Sequence, residues 1–228
     1  MQNKSRVNIR TMVSLALLIA IAYAVTFLSK LIPINVAGFL NMDLKDVVIV
    51  IGGFIFGPIS VAAMSIIVSL IEMFTISATG IIGFFMNVVS TCVFGCVAAA
   101  FYKKNRTMKS AVAGLIAACL SVTAVMLLWN YIITPFYMSA PGHVGEMRTE
   151  IAKMLVPVFL PFNLLKYGIN AAFAVLLYKP VVGGLRKAKL VPEQTGGKAG
   201  RISWGMIAAA VFALATFAAL FLVLAKVI

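Results

Sequence analysis

An asparagine and a lysine lie three residues apart in the apolar stretch Pro161–Lys166, and they are strong candidates for ligand-binding chemistry in this 228-residue sequence. Residues i and i+3 of a helix share one face, so Asn163 and Lys166 project from the same side. An ammonium within a membrane segment is costly unless it faces the protein interior or a cavity, and we therefore predict that both side chains point inward. The alternative is that Lys166 lies near the outer end of its helix and extends to the lipid headgroups.

The composition places these residues in a membrane protein. Hydrophobic residues make up 63% of the chain and charged residues 11%, with a mean hydropathy of +1.09. Several apolar runs reach the roughly 20 residues that a helix needs to cross a bilayer. We predict an all-α, polytopic membrane helical bundle that is embedded in the lipid bilayer.

Seven apolar segments are predicted to be helices. The run 44–74 is too long for one ordinary span and contains Gly57-Pro58 near its middle, which predicts two short helices joined by a tight turn. Between the fifth and sixth helices lies a polar segment, 136–153. The predicted helices cover residues 11–29, two parts of 44–74, 81–102, 110–133, 155–178 and 204–227.

The net charge of +13 is explained by membrane topology. Most of the 19 basic residues precede the first helix, separate the fourth from the fifth, or follow the sixth. Cytoplasmic loops carry an excess of Lys and Arg, so the N-terminus is predicted to be cytoplasmic in a multi-pass protein of the cell membrane. Basic residues interleaved with aromatic ones would indicate nucleic-acid binding, and that pattern does not occur here.

Polar residues from separate segments fall near the outer half of the predicted bundle. Polar groups in a membrane interior need partners, so we predict that they converge on one cavity. Amides both donate and accept hydrogen bonds, which suits a flat small molecule rich in heteroatoms. The polar set comprises Asp43, Glu72, Asn87, Asn130, Asn163 and Lys166; the predicted wall comprises Phe39, Leu40, Met42, Trp129, Tyr131, Tyr137 and Phe162. For Asp43, stabilisation of a helix start is an alternative role.

Enzymatic motifs are missing from the sequence. It contains no HExxH, no paired aspartate motif for magnesium and pyrophosphate, and no nucleophile elbow. The cysteines Cys92, Cys96 and Cys119 form no CxxC and are expected to pack within the bundle. The only histidine, His143, is expected to be a solvated turn residue beside Pro141-Gly142. We predict no catalytic residue, no metal site and no resident cofactor.

The first helix carries alanines at every fourth position, Ala16, Ala20 and Ala24. Such a stripe of small residues lets another helix approach closely. From the residues alone, packing within the same chain and docking of a partner both explain it.

Several stretches together resemble the riboflavin-specific substrate-binding subunit, or S component, of energy-coupling factor (ECF) transporters over about residues 7–186. Several such stretches in the same order are more specific than any one of them. The stretches are Gly38–Asp46, Ile51–Pro58, Glu72–Gly80, Met86–Asn87, Asn130–Met138 and Leu160–Lys166.

The resemblance implies a six-helix protein of a prokaryotic cell membrane that captures riboflavin from outside, in a pocket covered by the loop after helix one. Riboflavin would be the transported ligand, and the chain itself would not be an enzyme. ATP hydrolysis would belong to two separate ATPase subunits. By position, the flavin-holding residues are Asn130, Asn163 and Lys166, together with Asp43 and Asn87. The alanine stripe would dock on the transmembrane coupling subunit.

The seventh apolar segment departs from the six-helix pattern. We predict a membrane substrate-binding domain at residues 1–189, a cytoplasmic linker at 190–203 and an extra transmembrane helix at 204–228. Two other functions are compared with this prediction. An ion-coupled secondary transporter of a small aromatic or vitamin-like substrate would need an essential intramembrane carboxylate, for which Glu72 is the candidate. A membrane enzyme acting on lipids would need a metal or nucleophile constellation.

Overall fold

The computed structural model describes residues 9–31, 35–36, 40–77, 79–140, 142–191 and 204–224. Helices dominate this part of the chain, as the hydropathy pattern predicts. The helices are α1 (Ile9–Leu31), α2 (Lys45–Phe56), α3 (Pro58–Thr75), α4 (Gly80–Asn105), α5 (Met108–Ile132), α6 (Thr134–Met138), α7 (Val144–Met154), α8 (Leu160–Lys187) and α9 (Trp204–Leu224). A π-helical segment, Leu155–Phe159, joins α7 to α8. Two short antiparallel strands lie between α1 and α2, namely β1 (Asn35–Val36) and β2 (Leu40–Asn41).

Five helical stretches among the described residues are long and apolar enough to cross a membrane. They are α1, α3, α4, α5 and the continuous stretch Val144–Lys187. Helix α9 adds a shorter apolar stretch, Ile207–Val223. The predicted all-α membrane bundle is confirmed.

The short helix α2 lies at the centre of the bundle. It packs against α1, α3, α4 and α8, which explains why it is apolar around its whole circumference after Lys45 and Asp46. Two glycines allow its neighbours to approach closely: a Cβ on Gly52 would lie 2.8 Å from the sulfur of Met64, and one on Gly53 would clash with Val61. The close packing holds the first residues of α2 in a fixed position inside the protein.

The turn between α2 and α3 is made by Gly57 and Pro58. Gly57 has a φ of 95°, which glycine adopts without a steric penalty. Pro58 follows in the first turn of α3, where the missing N–H would have no helical partner. The predicted division of the long apolar run at this dipeptide is confirmed.

The predicted limits of the sixth helix, 155–178, are wrong at both ends. Helical structure extends over Val144–Lys187. On the N-terminal side, the polar residues form α7, which leaves most of its side chains exposed and buries Ile151. On the C-terminal side, Pro180 lies inside α8. A proline removes one helical hydrogen bond, but burial of Val182 after it stabilises the continued helix.

Helix α9 packs along α8, outside the core formed by α1 to α5 and α8. The ring of Phe217 lies 2.8 Å from the position that a Cβ on Gly168 would occupy. Phe221 packs on Phe162 of α8, with ring centroids 6.3 Å apart. Aromatic side chains of α9 thus contact α8 closely. Residues 192–203, most of the predicted linker, lie outside the described residues.

The two ends of the bundle differ in charge. The basic end carries the lysines and arginines at the α4–α5 junction and at the end of α8. These are Lys103, Lys104, Arg106, Lys109, Lys179, Arg186, Lys187 and Lys189. The hairpin end, opposite, carries β1, β2 and the turn between α3 and α4. There the Nζ of Lys30 donates to the carbonyl oxygen of Ile76 at 2.9 Å, which links the end of α1 to that turn.

Candidate functional site

A cavity of about 510 Å³ opens at the hairpin end, between α1, α3, α4, α5, α8 and β2. Its size falls within the roughly 300–1,000 Å³ that is typical of small-molecule sites. Its lining combines apolar and polar side chains. The polar ones include Lys30, Asp43, Glu72, Asn87, Asn130, Asn163 and Lys166, and the apolar ones include Phe27, Leu40, Met86, Met126 and Phe162.

Two buried asparagines form the amide part of the cavity. The Nδ2 of Asn130 donates to the carbonyl oxygen of Met126 at 2.7 Å, and its Oδ1 accepts from Thr134 at 2.9 Å. The Nδ2 of Asn163 donates to the carbonyl oxygen of Phe159 at 2.7 Å. These bonds orient both amides, yet each amide nitrogen carries a second N–H. The pair can therefore offer hydrogen bonds to a ligand without rearrangement.

Lys166 points inward and forms an ion pair with Asp43. Its Nζ lies 2.7 Å from the Oδ2 of Asp43, and both side chains are 12% exposed. Asn170 supports the pair, because its Nδ2 donates to the carbonyl oxygens of Asp43 and Lys166 at 3.0 and 2.9 Å. The inward orientation of Lys166 is confirmed, and the headgroup alternative is wrong. Asp43 does not cap α2, because the N-cap residue is Leu44 and no side chain bonds to the helix start.

The Asp43 carboxyl lies between β2 and α2, outside the spanning helices. Burial by itself raises the pKa of this carboxyl. The opposing effect of the ammonium groups of Lys166 and Lys45, together with the hydrogen bond from Lys166, holds the pKa below its ordinary value. Asp43 is therefore a carboxylate at neutral pH and balances the charge of Lys166.

A second buried ion pair lies beside the first. The Nζ of Lys45 contacts both carboxylate oxygens of Glu72 at 2.8 and 2.9 Å, and the two side chains are 2% exposed. Asn87 donates from Nδ2 to the Oε2 of Glu72 at 2.9 Å. Asp46, also buried, accepts from the hydroxyl of Thr91 at 2.7 Å. Glu72 is thus held by a cation and an amide.

Eight of the residues predicted to form the cavity line it. They come from β2, the segment before α2, α3, α4, α5 and α8, so the predicted convergence of polar groups occurs in the fold. The eight are Leu40, Asp43, Glu72, Asn87, Asn130, Phe162, Asn163 and Lys166. Phe39 lies outside the described residues.

Four other predicted residues are not among those that line the cavity. Trp129 packs against the apolar core of the bundle. Tyr131 is 41% exposed, and its ring lies 5.9 Å from the guanidinium of Arg148. The hydroxyl of Tyr137 is directed to Thr134 at 3.5 Å. Met42 packs in the apolar cluster around α8 and α9. Tyr131 follows the cavity residue Asn130 by one position and so projects about 100° away from it around α5, and Tyr137 lies beyond α5, in α6.

Some residues of the site were not singled out from the sequence. Lys45 and Asp46 lie at the start of α2, where charged residues are common, and their burial depends on the central position of α2. Asn170 had a usable signal. It follows Lys166 by four residues and Asn163 by seven, and so continues the same helical face.

The alanine stripe of α1 faces away from the bundle. Ala16, Ala20 and Ala24 are exposed, whereas Leu18 and Ala22 are fully buried against the core. Packing of the stripe within the same chain does not occur in the described structure. His143 is exposed as well, with its Nδ1 3.1 Å from Glu146 at the start of α7.

Comparison with known proteins gives consistent matches. The riboflavin transporter RibU of Staphylococcus aureus is 26% identical over 179 residues, which cover 78% of this chain and 93% of the relative. RibU of Streptococcus thermophilus is 29% identical over 178 residues, 76% of this chain and 83% of the relative. The riboflavin transporter FmnP of Bacillus subtilis is 24% identical over 176 residues, which cover 75% of this chain and 92% of the relative.

A solved structure of the S component of a bacterial ECF transporter has the same fold. Its TM-score is 0.62 at 28% identity, and the match covers 77% of this chain and 97% of that one. The family profile "ECF transporter, substrate-specific component" matches residues 10–178, well over half of the chain. The protein is therefore a transporter component and not an enzyme, and it belongs to the family of ECF transporter substrate-specific components.

Proposed function

We propose that this chain binds riboflavin in the cavity at the hairpin end and acts as the riboflavin-specific S component of an ECF importer. The observation that carries the proposal is the convergence of Asn130, Asn163 and Lys166 on one cavity in a member of the S-component family. Relatives named riboflavin transporters, which share about a quarter of their residues with this chain, support the choice of ligand.

The chemistry of riboflavin is complementary to the cavity. One edge of the flavin ring alternates carbonyl oxygens with an imide N–H, and the amides of Asn130 and Asn163 both donate and accept hydrogen bonds. The ammonium of Lys166 has protons beyond its bond to Asp43 and donates to a flavin carbonyl or ring nitrogen. The apolar side chain of Phe162 contacts the flat ring.

The sugar-alcohol chain of riboflavin extends toward the opening at the hairpin end. Ser77, Thr79 and Asn41 line that part of the cavity and supply polar groups for hydroxyls. The loop between α1 and α2, with Leu40 of β2 on its inner side, covers the bound vitamin.

A titration tests the binding proposal. The purified chain is freed of bound ligand by partial unfolding and refolding in detergent, its helicity is checked, and riboflavin is added while flavin fluorescence is recorded. We expect saturable quenching at one riboflavin per chain. Absence of quenching by the refolded, helical protein would overturn the assignment of riboflavin, and other vitamins would then be tested.

The same proposal assigns α1 to the partner interface. The exposed stripe Ala16, Ala20 and Ala24 docks on the transmembrane coupling subunit, and two ATPase subunits supply the energy. The basic end, with the N-terminus, faces the cytoplasm, since basic residues concentrate there. Residues 1–189 form the substrate-binding domain, and 204–228 form an extra transmembrane helix after a cytoplasmic linker at 190–203.

Reconstituted transport tests this assignment. We expect uptake of riboflavin into vesicles only when the coupling subunit, both ATPase subunits and ATP are present. Ala20→Trp, which adds bulk to the stripe, should abolish uptake and leave riboflavin affinity unchanged. Leu128→Trp, at a 60% exposed position on α5, is the control and should retain uptake. Uptake by the chain alone under a proton or sodium gradient would instead show an ion-coupled secondary transporter.

A further inference from the structure

An apolar groove of about 390 Å³ lies between α5, α8 and α9, apart from the polar cavity. Its walls include Ile116 and Cys119 of α5, Ala171 of α8, and Ala213 and Phe217 of α9. Every lining residue is aliphatic, aromatic, a cysteine or a glycine. Water gains no hydrogen bonds in such a space, so hydrocarbon is the matching occupant.

The depth of the groove follows from helix geometry. With a rise of about 1.5 Å per residue, its lining lies about 6 to 18 Å along α5 from Met108 and about 8 to 20 Å along α9 from Trp204. On α8 the lining lies about 6 to 17 Å from Lys179. One leaflet of a bilayer has a hydrocarbon thickness of about 15 Å. The lining of the groove therefore begins at acyl-chain depth on the side of the basic end and reaches the middle of the bilayer.

A smaller, basic pocket of about 100 Å³ lies at that end, between the α4–α5 junction and the end of α8. Arg106, Lys179 and Arg186 line it, and no acidic residue is among its described lining residues. The Nε of Arg186 is buried and has no hydrogen-bond partner in the described part of the chain. The planar guanidinium matches the geometry of a phosphate group.

Packed side chains, with no room for a water molecule between them, separate the basic pocket from the groove. They include Leu115 and Val175, which also line the groove, and Met108 and Tyr178, which also line the basic pocket. On α5 and on α8 the two spaces lie about one helical turn apart, so they are neighbours along one seam between α5 and α8, and a lipid passes from one to the other over the outer surface of the seam.

We propose that this seam binds one anionic phospholipid, with its phosphate at Arg106 and Arg186 and an acyl chain in the groove walled by α9. The charge of the pocket selects the headgroup: an anionic lipid is attracted, whereas the cationic group of a zwitterionic lipid finds no carboxylate there. The extra helix α9 supplies one wall of the groove, so the site depends on the segment that follows the six-helix core. The proposal does not depend on the identity of the vitamin.

Native mass spectrometry of the delipidated full chain in detergent tests the proposal. Phosphatidylglycerol and phosphatidylcholine with identical acyl chains are titrated separately. We expect one phosphatidylglycerol to bind at least about tenfold more tightly than phosphatidylcholine, since charge-assisted hydrogen bonds to two arginines are involved. Equal affinity for the two lipids would overturn the proposal.

Matched variants locate the two parts of the lipid. Arg106→Gln with Arg186→Gln should lower phosphatidylglycerol affinity to the level of phosphatidylcholine, whereas Lys104→Gln, an exposed lysine at the same end, should not. Ala213→Leu, which fills the groove, should lower the affinity for both lipids by about tenfold. Ala215→Leu, on the exposed side of α9, should leave both affinities unchanged.

Three results would contradict the assignment. Equal losses of lipid affinity in the test and control variants would show that the lipid does not bind at the seam. Competition by inorganic phosphate, with no effect of Ala213→Leu, would show a free-phosphate site. A dimer in lipid-free detergent that is abolished by Ala213→Leu would show that a second copy fills the groove. Arg186→Lys keeps the positive charge but loses the two parallel N–H donors of the guanidinium, so this variant should bind phosphatidylglycerol with intermediate affinity. It replaces the double variant if the double variant does not fold.

Discussion

Helix α8 lines two spaces of opposite character. At the hairpin end, Asn163 and Lys166 contribute an amide and an ammonium to a cavity with two buried ion pairs. Within the next turns, Gly168 and Ala171 form the wall of an apolar groove. The comparison shows that the buried charged groups of the polar cavity lie in ion pairs. The small residues of α8 lie where this helix packs against α9 and lines the apolar groove.

The two regions are stabilised by different forces, and they should therefore respond differently to substitution. In the polar region, the loss of one member of an ion pair leaves an unpaired buried charge, which is strongly destabilising. In the apolar region, substitutions change side-chain packing. A single steric conflict there destabilises the protein less than an unpaired buried charge does.

Replacement of Lys45 should have the largest effect on stability. Lys45→Met leaves the Glu72 carboxylate without its cation in a position that is 1% exposed, and we expect a loss of about 3–5 kcal/mol. For a chain of this size, the melting temperature in detergent should fall by roughly 10 °C. Thermal unfolding followed by circular dichroism measures this change.

The double variant Lys45→Met with Glu72→Met is the control for that prediction. It removes both charges and should recover most of the lost stability, because no unpaired ion remains. A single variant as stable as the natural protein would show that the pair contributes little. The contrast between the two regions would then not rest on charge.

The contact between α8 and α9 should show a smaller effect. A Cβ on Gly168 meets the ring of Phe217, so Gly168→Ala should cost about 1–2 kcal/mol in thermal unfolding. Gly184→Ala on the same helix has open space around the new Cβ and should instead be stabilising by about 0.5–1 kcal/mol. An increase in stability from both substitutions would mean that α9 does not pack closely on α8.

The pH dependence of the Asp43–Lys166 pair should be the smallest effect in moderately acidic solution, because the lowered pKa of Asp43 keeps most of this carboxyl ionised there. Its pKa in the folded protein is lowered relative to the unfolded chain. Asp43 therefore contributes stability above the unfolded pKa of about 3.9, and this contribution is lost as the pH falls through the folded pKa. The difference in melting temperature between the natural protein and Asp43→Asn should become smaller as the pH is lowered. The difference for Glu146→Gln, an 82% exposed carboxyl, should stay near zero.

Much of the cavity could be predicted from the sequence, because polar residues in apolar helices need partners. Asn130, Asn163 and Lys166 stand out against apolar neighbours, and a common depth in the bundle was enough to bring them together. Lys45 could not be recognised in this way. Its position at a helix start is that of an ordinary surface lysine, and only the central location of α2 buries it.

Helix limits were harder to predict where local signals conflict with tertiary packing. Pro180 is a usual sign of a helix end, but buried residues beyond it stabilise the continued helix α8. The segment 136–153 was predicted only to be polar, yet Val144–Met154 form helix α7. Val144, Met147, Ile151 and Met154 recur there at helical spacing, which was a usable signal. The continuation past Pro180, in contrast, cannot be predicted without the neighbouring helices.

A riboflavin titration of two variants tests the central claim most directly. Asn163→Ala removes an amide from the polar cavity, and Ala213→Leu fills the apolar groove; both are compared with the natural protein by quenching of flavin fluorescence. Asn105→Ala, an exposed amide at the end of α4, controls for general effects. We expect Asn163→Ala to weaken riboflavin binding by roughly tenfold to a hundredfold, and the other two variants to bind as the natural protein does. Unchanged affinity in Asn163→Ala together with lost affinity in Ala213→Leu would place the flavin in the groove and contradict the account.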